Sequence, residues 1–71
     1  MELTVAVHID DDESYWADVV EIPGCLASGR TLDELAEALE EAIGMSLDDP
    51  SIRLVDRRLE VGEVIVRAVA N

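Results

Sequence analysis

Four groups of residues in this 71-residue chain carry chemistry that folding alone does not require. The first is the run Asp10-Asp11-Asp12-Glu13, whose oxygens are of the kind that hold a hard cation. The four are adjacent, and no glycine bends the run as a calcium loop needs, so a solvated turn accounts for them. A two-metal nuclease site draws carboxylates from separate elements. Here that set would be Asp10, Asp18 and a helix carboxylate. The second group is the single His8 and the single Cys25. His8 falls on the more polar side of an alternating strand, and no motif sets a Ser or Cys nucleophile beside it. Cys25 follows Pro23-Gly24 and fits a small buried hydrophobe. The third is a helix rich in carboxylates: Asp33, Glu34, Glu37, Glu40 and Glu41. Their like charges at i,i+4 cost a few tenths of a kcal/mol per pair, about 0.2–0.5. That cost is offset only in the first turn, where the helix dipole favours Asp33 and Glu34. The fourth is Trp16, with Tyr15 one of two aromatics in the chain. By type it is either a partner-binding anchor or core filling. With no phosphate-cradling loop, no paired-cysteine motif and no basic-aromatic interleaving, the chain reads as a non-enzyme with no cofactor and no metal.

The charge narrows the partners. The formal net charge is −12, from 17 acidic and five basic residues, all five Arg. Phosphate neutralisation supplies most non-specific nucleic-acid affinity, so direct nucleic-acid binding is disfavoured, as is an anionic membrane. A basic protein is attracted and its encounter accelerated. Solubility or a salt-rich habitat accounts for the same charge. Arg53, Arg57, Arg58 and Arg67 gather the positive charge in the last third, where pairing with the acidic excess, within or between subunits, is the expected role. The N-terminus lacks the basic segment of a secretory signal, no apolar run reaches membrane-spanning length, and a lone thiol suits a reducing cytoplasm.

These residues must be positioned by a small fold. One domain over residues 1–71 is expected, marginal by itself at this size, with oligomerisation as the favoured remedy since one Cys and one His rule out a disulfide or His-rich metal core. Leu3, Val5, Val7 and Ile9 alternate with Glu2, Thr4, Ala6 and His8, which predicts a half-buried strand. A second strand is expected over 14–21 and a short third over 25–28, separated by the Pro23-Gly24 turn. Thr31-Leu32-Asp33-Glu34 is a capping box in which Glu34 would reach back to the Thr31 amide. Leu32, Leu35, Ala36, Leu39, Ala42 and Ile43 then form one apolar stripe. Gly44 is either the frayed end of that helix or a weak point inside it, and Asp49-Pro50 stops it. Residues 52–59 read as an extended run or as a connector with a helical turn. Val64 to Val69 form a last strand. The order β-β-β-α-β predicts an α+β fold, a small antiparallel sheet with one helix packed on one face. The most β-prone candidate for an exposed edge is the last strand.

Tyr15-Trp16-Ala17-Asp18-Val19, Ile22-Pro23-Gly24-Cys25, Gly29-x-Thr31-x-x-Glu34 and Glu41-Ala42-Ile43 together resemble the HicB-like antitoxin family, in a short single-domain form. The resemblance extends to Gly62-Glu63-Val64-Ile65-Val66 and covers most of the chain. It departs at Leu35, where the family has Ala, and at Ala38, where it has Asn. The resemblance implies a reduced RNase H-like sheet without the nuclease site. It also implies a dimer or tetramer in a prokaryotic cytoplasm, and a partner: a small basic mRNA-cleaving toxin of the HicA family. Partner contact is expected at Trp16, Asp33, Glu34, Glu37, Glu40 and Glu41. No DNA-binding domain follows the last strand here, so operator binding is not expected. The competing reading is an orphan structural homo-oligomer without a toxin partner.

Overall fold

The alternating segment at the start becomes β1 (Glu2–Ile9), the central strand of a five-stranded antiparallel sheet. The computed structural model describes residues 1–70. β2 (Tyr15–Val19) and β3 (Leu26–Gly29) follow, then α1 (Leu32–Ser46), β4 (Arg53–Leu54) and β5 (Gly62–Val69). The sheet order is β3-β2-β1-β5-β4. β1 pairs with β2 in the register Val5 opposite Val19 and His8 opposite Trp16, and with β5 in the register Leu3 opposite Val66. The α+β class and the single covering helix expected from the sequence are what the chain adopts. The expected order gains one element: residues 52–59 supply the two-residue β4 and then a connector that buries Leu59.

Local chemistry explains each junction. Asp12 turns the β1–β2 hairpin, its carboxylate accepting from the Ser14 amide at 3.1 Å and the Ser14 hydroxyl at 2.6 Å. Ile22-Pro23-Gly24-Cys25 closes with the Cys25 amide donating to the Ile22 carbonyl at 3.0 Å, and Gly24 takes φ 86°, the left-handed position such a turn assigns to glycine. Thr31 caps α1, its hydroxyl accepting from the Glu34 amide at 3.1 Å. Glu34 reaches one residue beyond the expected Thr31 amide and accepts from Arg30 at 3.1 Å. Of the two readings of Gly44, the interior one holds: the helix runs through it to Ser46, and Gly44 is buried.

The core lies between α1 and one face of the sheet. Leu35, Leu39 and Ile43 are wholly buried against Val5 and Val7, with Ala17, Val19, Val66, Ile52 and Leu54 around them. Cys25 is buried among them as the small hydrophobe anticipated. Leu35, the departure from the family pattern, is at the centre of this core. Trp16 is not in it. Its side chain, 36% exposed, lies on the far face of the sheet, because the β2 register puts Tyr15, Ala17 and Val19 inward. Core filling is therefore the wrong role for Trp16.

Candidate partner-binding surfaces

The carboxylates of α1 divide into two kinds. Glu34 is committed to the cap. Glu40 is turned inward: its side chain is 14% exposed, accepts from the Leu54 amide at 2.9 Å and sits 3.6 Å from the Arg57 guanidinium. It ties the helix to β4. Asp33, Glu37 and Glu41 make no hydrogen bond or ion pair among the described residues, and all three are exposed. Glu37 and Glu41 continue into a groove of about 850 Å³ between the second half of α1 and residues 48–53, where Met45, Asp48, Arg53 and Arg57 also line the wall. The acidic helix thus presents three unengaged carboxylates rather than five.

The second surface is the sheet face that α1 does not cover. Here the His8 ring stacks on Trp16 with centroids 3.9 Å apart and planes 19° apart, and His8 Nε2 lies 3.2 Å from Asp18 Oδ1. Leu26, paired across from Asp18, and Ile65, across from Thr4, are 61% and 65% exposed on this face. At its margin Glu21 accepts from the Thr4 amide at 2.7 Å and the Thr4 hydroxyl at 2.8 Å, and these bonds, the amide first, lower the Glu21 pKa. Hydrogen bonds from the Ser14 and Ser51 hydroxyls and amides likewise hold Asp12 and Asp49 below the usual carboxylate range.

Trp16 and the acidic helix are on opposite faces, so no flat partner covers both from above. They meet at one margin. α1 packs beneath β3 and β2, while Trp16 is paired with Ser28 of β3 on the other side. The approach of helix to strand there is tight: a Cβ on Gly29 would stand 2.6 Å from the Leu35 nitrogen and 2.9 Å from the Glu34 carbonyl carbon. The glycine of the Gly-x-Thr motif is what lets the capped helix start directly under the edge strand. The sequence did not reveal the His8–Trp16–Asp18 cluster, because a cross-strand group depends on register; the period-two placement of His8 on the polar face was its one legible trace.

The nuclease-type grouping is not assembled. Asp18 is on the open face and the helix carboxylates are on the other side of the sheet, while Asp10 is in the β1–β2 turn. Among the described residues no three His, Cys, Asp or Glu side chains converge as a metal would require. No helix is long and apolar enough to cross a membrane.

Relatives share this layout in sequence. A UPF0150 protein of Archaeoglobus fulgidus is 34% identical over 65 residues, covering 92% of this chain and 86% of its own length. Two UPF0150 proteins of Synechocystis sp. are similar: ssl0738 is 39% identical over 57 residues, covering 80% of this chain and 75% of its own, and ssr1258 is 26% identical over 65 residues, covering 92% and 94%. No solved structure matches the chain. The model of the HicB-like antitoxin of bacterial toxin-antitoxin systems matches residues 3–64, which include the Pro-Gly turn, the Gly29 contact and the capped helix described above, and the chain belongs to that family.

Proposed function

We propose that this chain is a self-associating antitoxin module that captures a small basic RNA-cleaving toxin of the HicA type at the β3 margin. The observation that carries the reading is the distribution of charge. Residues 1–51 hold fourteen carboxylates against the single Arg30, and they include every exposed carboxylate of α1. A basic partner docking at β3 would meet Asp33 and Glu37 on the helix side and Trp16 with Leu26 on the other. Charge steers such an encounter and the buried apolar contacts set its lifetime. The chain supplies no catalysis; it occludes.

The test pairs the chain with the basic reading frame beside it in its genome. Co-expression should relieve growth arrest by that product, and the purified complex should weaken as salt rises. Asp33→Asn/Glu37→Gln should slow association several-fold while leaving the melting temperature unchanged. A neighbour that arrests growth irrespective of this chain would refute the reading. The orphan oligomer remains the second reading, favoured by the unpaired strand edges of a small sheet.

A further inference from the structure

We infer that two copies of this chain join symmetrically along the outer edge of β5, sheet to sheet. This locates the self-association named above, and it stands or falls independently of toxin capture.

The sheet has an edge at each end. β1 and β5 exchange hydrogen bonds through Ala68 and Met1, which places the amides and carbonyls of Gly62, Val64 and Val66 toward β1. Those of Glu63, Ile65 and Arg67 therefore point outward. β4 is only two residues long and takes up Ala68 and Val69, and Val55 donates to the Arg67 carbonyl at 2.9 Å. No backbone partner reaches Glu63 or Ile65 on that side. The stretch Gly62-Glu63-Val64-Ile65-Val66 is β-branched and has no proline, lysine or bulge to discourage pairing. At the other end β3 leaves the amides and carbonyls of Leu26 and Ser28 outward in the same way.

Charge separates the two edges. β3 is flanked by Asp18 on one face and by Asp33 and Glu34 in the first turn of α1 on the other. Two copies meeting there would press carboxylates together. Four of the five Arg, at positions 53, 57, 58 and 67, are in β4, β5 and their connector, against Asp56, Glu60 and Glu63. Residues 52–71 are therefore near neutral in a chain of net charge −12. This is the one margin where a second acidic copy approaches without local repulsion. The pattern is also self-complementary. Glu63, Ile65 and Arg67 alternate onto one face, and a two-fold axis near Val64 and Ile65 runs the strands antiparallel. It then sets Ile65 beside its copy and turns Glu63 of each strand toward Arg67 of the other, within diagonal cross-strand reach. A basic toxin finds no complement at this edge, so the two interfaces are kept apart by charge.

The experiment is sedimentation of the purified chain with amide hydrogen exchange on the same sample. The expected mass is twice the 7.8 kDa of the monomer. The Ile65 amide should exchange at least ~10-fold more slowly than the outward Leu26 and Ser28 amides. Raising salt should strengthen the dimer, opposite to its effect on the toxin complex. Ile65→Pro removes an amide that β1 does not use and should give a folded monomer by circular dichroism. A wild-type monomer at 100 µM overturns the proposal, as does fast exchange of Ile65 within a dimer. The exchange arm needs no variant, so failure of Ile65→Pro to fold leaves the proposal decided. A monomeric chain that still captures the toxin would sink this inference alone.

Discussion

Glu21 shows what a single exposed carboxylate can do. It clasps Thr4 by two bonds, and those bonds lower its pKa. A carboxylate with a lowered folded pKa contributes stability that is complete above its unfolded value, near the model 4.5, and is lost as pH falls through the folded value. Acid therefore destabilises through Glu21, while falling net charge acts in the opposite sense. Comparing wild type with Glu21→Gln isolates the first effect: the variant should be less stable at pH 7, and the gap should close below about pH 4, as read by urea midpoints. None of this was legible in the sequence, where Thr4 and Glu21 are 17 residues apart. Trp16 was half legible. Its residue type marked it as an anchor, but the mixed alternation of 14–21 left its face open, and only the register opposite His8 puts it outside.

The elements were more readable than the contacts between them. The helix, its Thr31 cap and its apolar stripe followed from local chemistry, and so did the first hairpin. The two-residue β4 did not, since nothing in residues 52–59 marks so short a pairing; it exists because Glu40 accepts the Leu54 amide from the helix side. Glu40→Ala would leave that half-buried amide unpaired and should cost about 1–2 kcal/mol in unfolding free energy, unlike Glu41→Ala, which should be near neutral. The two motif glycines should also separate. Gly29→Ala meets helix backbone at 2.6 Å and should lose about 2 kcal/mol by overpacking. Gly24→Ala meets nothing within 4 Å but keeps φ at 86°, so it should lose about 1 kcal/mol through backbone strain alone. Thermal or urea unfolding of the pair would expose any reversal of that order.

At the scale of the molecule, charge is the organising quantity. Seventeen acidic residues on a surface of 4622 Å² repel one another, and a core with no Phe has little to spare against that repulsion. The melting temperature should accordingly rise by about 5 °C between 10 and 150 mM salt, where the screening length shortens. A flat or falling response would mean that the carboxylates are already neutralised by bound counterions. The sign of the charge and its expected taste for a basic partner were plain in the composition. Its division into an acidic margin at β3 and a near-neutral margin at β5 was not, because that depends on which strands end the sheet.

The central strand of the sheet is also the first to be synthesised, and one of its two neighbours is the last. β1 obtains β2 as soon as the hairpin closes, but it waits for β5, whose Ala68 is 67 residues from Met1. On a ribosome the nascent chain can hold only a ragged three-strand sheet with its middle strand bare on one side, so folding is completed after release rather than during elongation. A transcript cut short within β5 would lose the middle of the sheet rather than a dispensable edge. Stalled chains ending before Val64 should be cleaved rapidly by added protease, and those carried past Val69 on a linker long enough to clear the exit tunnel should resist it.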